Sequence, residues 1–159
     1  MAMKTFALLA VTALLSLAPS SALADDAGPV VKTAYGSVIG LSRGGAEAFE
    51  GIPYAAAPIG NLRWSPPQRP HGWATPLDAR HPGSACPQPP PAGGIAGSIP
   101  GVEENCLFLN VWRPQVSGVA PHPPLPVMVW FHGGGMRSSA GHVYEAARLV
   151  TRGKPMIVV

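Results

Sequence analysis

The residues with the clearest chemical potential are His132-Gly133-Gly134-Gly135, placed directly after an apolar run at 125–131. Glycine lets the backbone turn sharply and lets a ligand approach it closely, so consecutive N–H groups are left to converge on one oxygen. Such donors stabilise an oxygen that gains negative charge, as in the tetrahedral intermediate of acyl transfer. Each donor is worth a factor of about a hundred to a thousand in rate. An ordinary glycine-rich turn is the alternative, and the strand before and helix after this one favour the chemical role. A second pattern, Gly40-Leu41-Ser42-Arg43-Gly44, has the GxSxG form of a nucleophile elbow, which presents a serine between a strand and a helix. Its context argues otherwise: Gly45, a strand-like stretch, Gly51 and Pro53 follow Ser42, so the pattern reads as a hairpin turn and a chance match. His71, His81, His122 and His142 lie in loops without metal-ligand spacing, and no role is assigned to them.

The elements that must position the glycine turn are legible from periodicity. The run at 125–131 carries one proline near its start and reads as a strand covered on both faces in a parallel sheet. Val143, Ala146, Ala147 and Val150 recur at i, i+3, i+4 and i+7, a helical stripe, and Gly153 and Pro155 stop it. Residues 156–159 then open another buried strand, which makes one βαβ unit over 125–159. Upstream, Leu107, Leu109 and Val111 alternate with Phe108, Asn110 and Trp112, the period of a strand that Pro114 ends. A first hairpin is expected over 30–38 around Tyr35-Gly36, and a second short strand pair over 39–49. Between 51 and 101 the density of proline and glycine is too high for a helix or a central strand. Trp64, Trp73 and Arg63 in that region predict that it packs against the rest. The fold class is therefore α/β, with antiparallel edge strands leading into a parallel unit.

Composition bounds the possibilities. The 159 residues include 19 glycines and 20 prolines, yet 47% are hydrophobic and only 12% charged, the opposite of a disordered composition. The net charge is +3, but the basic residues are scattered singly, and a phosphate-tracking surface needs them clustered, so nucleic acid is set aside as a partner. Residues 1–24 have the three parts of a secretory signal peptide: Lys4 in a short positive start, an apolar run at 5–18, and a small-residue tail ending Ala22-Leu23-Ala24. The apolar run is shorter than the roughly 20 residues of a membrane span. Cleavage after Ala24 would leave a mature chain of 25–159, secreted or periplasmic, with no membrane span. In such an oxidising compartment Cys86 and Cys106 are expected to be bonded, closing a loop worth about 3 kcal/mol in the chain-entropy model, with two buried thiols as the alternative. The strand at 156–159, with no sequence after it, is expected to leave an unpaired edge, as in an incomplete chain.

Several ordered segments resemble the type-B carboxylesterase and cholinesterase family of α/β-hydrolases. Phe49-Glu50-Gly51-Ile52-Pro53-Tyr54-Ala55 is similar to the family's FxGIPYA, and Pro58-Ile59-Gly60-Asn61-Leu62-Arg63-Trp64 to its PxGxLRF/W. Cys86-Pro87-Gln88 resembles its CPQ, and Cys106-Leu107-Phe108-Leu109-Asn110-Val111 its CLxLNV. Residues 126–135 resemble its PVMVWIHGGG, the glycine turn that supplies half of the oxyanion hole in lipases and esterases. The resemblance implies the N-terminal part of an α/β-hydrolase fold, with Gly134 and Gly135 as oxyanion-hole amides. It implies that Cys86 and Cys106 form the family's first disulfide, that Arg63 pairs with Glu104, and that His132 braces the turn without acting as a base. It implies a small-molecule carboxylic ester as substrate and neither metal nor organic cofactor.

The departures carry information too. The family's SEDCL appears as Glu103-Glu104-Asn105-Cys106-Leu107, the phenylalanine after its glycines is Met136, and its following Gly-Ser is Ser139-Ala140. The loop between Cys86 and Cys106 has no aromatic residue, and a cation-π site for choline needs one, which argues against a cholinesterase. The family's serine elbow, acid and catalytic histidine have no counterpart in this chain. The reading is thus the N-terminal part of an exported serine carboxylic-ester hydrolase whose 159-residue chain is inactive alone. A non-catalytic cholinesterase-like binding or adhesion protein is the alternative.

Overall fold

In the computed structural model, which describes residues 28–89, 101–115 and 123–159, the chain builds two sheets around one long strand pair. The expected leader at 1–24 and His122 lie outside the described residues. Strand β1 (Val30–Thr33) and β2 (Gly36–Ile39) form the expected hairpin, and β5 (Leu77–Asp78) pairs parallel with β2 to complete a small sheet in the order β1-β2-β5. The larger sheet runs β3-β4-β6-β8-β7, from β3 (Leu41–Arg43) through β4 (Ala46–Pro53), β6 (Phe108–Pro114) and β8 (Ile157–Val158) to β7 (Val127–Met128). Its first four strands pair antiparallel and β8 pairs parallel with β7.

The turn from β3 to β4 is Gly44-Gly45, both at positive φ (58° and 81°), as a tight two-residue hairpin turn requires. Ser42 therefore sits in an exposed hairpin strand opposite Glu47, with no helix after it, which agrees with the reading of its GxSxG pattern as a chance match.

Alternation along β4 and β6 sends side chains to two different cores. Ala46 and Ala48 of β4, Trp112 of β6 and Val158 of β8 form one cluster with Ala147 and Val150 of the helix α1 (Ala147–Thr151). On the opposite face Phe49 joins Val38 and Ala79, with Val111 packed against them, so the small sheet covers that side. Burying an aromatic side chain such as Phe49 contributes about 1.5–3 kcal/mol. On this second face Glu47 stands directly opposite Arg113 and is paired to it at 2.6 Å, and the Arg113 guanidinium lies 5.4 Å from the centre of the Phe49 ring.

Several expectations need correction. Strand β4 continues through Gly51 to Pro53 as a central strand, although the density of proline and glycine argued against one there. A register shift between Phe49 and Ile52 makes this possible, and the Gly51 N–H, freed from the ladder, donates to Asn110 Oδ1 at 3.0 Å. Trp73 is packed, its indole N–H donating to the Ser37 carbonyl, but Trp64 is 96% exposed. The helical stripe is interrupted. Val143 belongs to a separate 3₁₀ turn, Gly141–Val143, and Tyr144 is extended (φ −116°, ψ 118°), its ring edge-on to Trp130, so α1 begins only at Ala147. Strand β7 lies at the rim of the sheet, which leaves Val127, Val129, Trp130 and Phe131 exposed among the described residues instead of covered on both faces. Strand β8, expected to leave an unpaired edge, is held between β6 and β7.

Two carboxyls on the sheets respond to pH in opposite senses. Burial pushes the Glu50 carboxyl above its ordinary 4.5, opposed by Arg43 and reinforced by Glu145. The folded chain then binds the proton more tightly than the unfolded chain, so stability falls as pH rises from about 4.5 through the raised value. Asp78 is gripped by the Arg80 side chain at 2.8 Å and lowered to about 2. Its contribution is present above 3.8 and lost only as pH falls towards 2. Glu50→Gln is expected to raise the melting temperature at pH 7 and to flatten its decline above pH 4.5. Thermal melts across that range check this, and an unchanged or lower value at pH 7 refutes it.

Candidate active-site turn

The glycine turn takes its position from the parallel pair at the rim. Beyond the β7–β8 ladder the Trp130 N–H still donates to the Val159 carbonyl at 2.7 Å, after which the chain leaves the sheet. Gly134 and Gly135 follow at φ values of 129° and 62°, a region that favours glycine. A side chain at Gly134 would also collide with the main chain, since a Cβ there would lie 1.7 Å from the Ser138 carbonyl oxygen. The turn curls back on itself: the Gly134 carbonyl accepts the N–H groups of Arg137 (3.1 Å) and Ser138 (3.3 Å). The N–H groups of Gly133, Gly134 and Gly135 have no hydrogen-bond partner among the described residues. Successive backbone N–H groups in a turn can form a concavity that receives an anion.

His132 is exposed, and its Nδ1 lies 2.9 Å from the Gly133 carbonyl, which can only accept, so this nitrogen carries the proton in that contact. The ring thus braces its neighbour. His71 and His81 are exposed, and His142 is the middle residue of the 3₁₀ turn that precedes Tyr144. Among the described residues no group of three or more His, Cys, Asp or Glu is placed to hold a metal ion, and no helix is long and apolar enough to cross a membrane.

Two irregular segments are tied to this region. Cys86 and Cys106 are joined in a disulfide, their Cα atoms 4.9 Å apart. Arg63 Nη2 meets Glu104 Oε1 at 2.9 Å, with both side chains about half exposed (51% and 44%). A pair so open to water contributes about 0–1 kcal/mol, so it orients the segment more than it stabilises it.

A further connection was not legible in the sequence. Gln88 accepts the Ser139 N–H at its Oε1 (2.5 Å) and donates from Nε2 to the Ser139 carbonyl (3.1 Å). Gln88 stands in the Cys86-Pro87-Gln88 motif without any local sign of a partner, because that partner lies 51 residues away. Ser139 itself has φ 99°, a left-handed conformation, at the position where the resembled family carries glycine. Holding a serine there costs about 1–3 kcal/mol. Ser139→Gly is accordingly expected to stabilise the chain by about 1 kcal/mol, read as a higher midpoint in urea, and an unchanged or lower midpoint would remove the strain from the account.

Comparison with known proteins bears on the whole of this arrangement. Residues 27–159 match the model of the carboxylesterase family. Para-nitrobenzyl esterase of Bacillus subtilis is 38% identical over 132 residues, covering 81% of this chain and 26% of that protein. Fumonisin B1 esterase of Sphingopyxis macrogoltabida is 38% identical over 141 residues, covering 85% of this chain and 24% of that protein. A solved PNB esterase superposes with a TM-score of 0.72 at 38% identity, covering 81% of this chain and 26% of that one. The chain spans about a quarter of the length of the curated relatives it matches.

Proposed function

Because the chain belongs to the carboxylesterase family and carries part of an α/β-hydrolase fold, we propose that it supplies the oxyanion-stabilising turn of a serine carboxylic-ester hydrolase. The observation that carries this reading is the set of unengaged N–H groups at Gly133, Gly134 and Gly135, placed where a parallel strand ends. In the proposed reaction an activated serine attacks the ester carbonyl, and its proton passes to a histidine held by a carboxylate. The carbonyl oxygen becomes an oxyanion and accepts hydrogen bonds from the Gly134 and Gly135 amides. The intermediate then collapses, the alcohol leaves with the proton from the histidine, and water releases the acid in a second passage through the same states.

The serine, histidine and carboxylate are proposed to come from sequence outside these 159 residues. Ser42, in its exposed hairpin strand, is not the nucleophile. The substrate class is a small-molecule carboxylic ester, and the chemistry uses protein groups alone. The test is hydrolysis of a p-nitrophenyl ester. The 159-residue chain is expected to show no turnover sensitive to a serine-directed inhibitor, whereas the product of an open reading frame continued through a downstream GxSxG is expected to show it. Turnover by the chain alone that Ser42→Ala abolishes would overturn the assignment.

We also propose that residues 1–24 direct export and are removed, which agrees with bonded cysteines at 86 and 106. Protein recovered from the periplasm or medium is then expected to begin at Asp25, and Edman sequencing that returns the intact Met1 terminus would refute this.

A further inference from the structure

Gln88 makes an arrangement that few side chains can. A carboxamide carries a donor and an acceptor side by side, and Gln88 uses both on the main chain of one residue, accepting the Ser139 N–H and donating to the Ser139 carbonyl. A third contact, Nε2 to the Cys86 carbonyl at 3.0 Å, ties the same group back to its own loop. That loop is anchored in turn. Cys86 is bonded to Cys106, two residues before β6 begins at Phe108, and β6 is the central strand of the large sheet.

At the other end of the contact Ser139 is held at φ 99°, a conformation a serine does not keep unaided. It follows directly on the segment that the Gly134 carbonyl closes by accepting the N–H groups of Arg137 and Ser138. Where Ser139 is fixed, the curl over 134–138 is fixed, and with it the direction of the Gly134 and Gly135 amides. A continuous physical path therefore runs from β6 through the disulfide and the Gln88 carboxamide to the glycine turn.

We propose that Gln88 is a positioning residue that holds the Gly134–Gly135 turn in its anion-receiving conformation by pinning the main chain of Ser139 to the disulfide loop. The proposal rests on the reading of that turn as an oxyanion site, but its test contains no substrate, so a failed ester assay and a failed positioning role are separate results. The experiment is amide hydrogen exchange on the ¹⁵N-labelled chain, wild type against Gln88→Ala and Gln88→Met. The methionine variant keeps the length and bulk of the side chain and loses only its hydrogen bonds, so it separates hydrogen bonding from packing. Both variants are expected to exchange the amides of Arg137, Ser138 and Ser139 at least tenfold faster, and to move the Ser139 amide proton upfield as its short hydrogen bond is lost. The amides of Phe49 and Val111, in the central strand pair, keep their wild-type rates. Unchanged exchange over 137–139 in Gln88→Met would overturn the proposal. An equal acceleration at Phe49 and Val111 would also overturn it, since the residue would then serve general stability and not the turn.

Discussion

The antiparallel pairing of β4 with β6 is the constraint on which the rest of the structure depends. Among the described residues these are the two longest strands, and they alone reach both cores: Ala46, Ala48 and Trp112 face α1, while Phe49 and Val111 face the small sheet. The period of two along a strand makes this division automatic. A slip of one residue would turn Trp112 towards the small sheet and carry Arg113 away from Glu47. Glu47 is nearly enclosed, and a carboxylate withdrawn from water without a partner is strongly destabilising. The ion pair and the aromatic packing therefore specify the same register by different physics. The bulge after Phe49 departs from the ladder, and the Asn110 side chain satisfies the amide that it releases.

From this centre the irregular parts are held by a graded set of ties. The disulfide is the strongest, worth about 3 kcal/mol for a loop of this length in the chain-entropy model. The two hydrogen bonds from Gln88 are directional and reach the turn region itself. The Arg63–Glu104 pair, half in water, is the weakest. The order matters because, among the described residues, no hydrogen bond ties 133–138 to another segment. Internal bonds shape the curl, and Gln88, two residues after Cys86, joins the main chain of Ser139 just beyond that curl to the disulfide loop.

Family membership and the structure bear on different parts of the same site. The match over 27–159 and the likeness to solved esterases identify the fold and the class of protein. The local geometry adds why the turn is glycine: a side chain at Gly134 would strike the Ser138 carbonyl, and the positive φ at Gly135 disfavours any other residue. It also locates the cost of the departures from the family pattern. Met136 and Ser139 both take left-handed conformations, and at Ser139 the main chain is caught by Gln88.

What the amino-acid sequence determined by itself was whatever depends on near neighbours or on motif order. The hairpin at Tyr35-Gly36, the alternation of β6 and the glycine turn follow from residues within a few positions of one another, and the parallel β7–β8 unit from the order of strand, turn, helix and strand. The Cys86–Cys106 bridge was expected from the export signal read at 1–24 as well as from the resemblance, and the Arg63–Glu104 pair from the resemblance alone. Only the tertiary structure decided that β4 runs on through Gly51 and Pro53, because a side chain 59 residues away takes up the released amide. It decided that Tyr144 leaves the helical path to meet Trp130, and that Trp64 is exposed while Trp73 is packed. It decided the partner of Gln88 as well. A glutamine side chain has the same composition whether it faces water or a strained serine, and its partner is set by the closing of the chain in three dimensions.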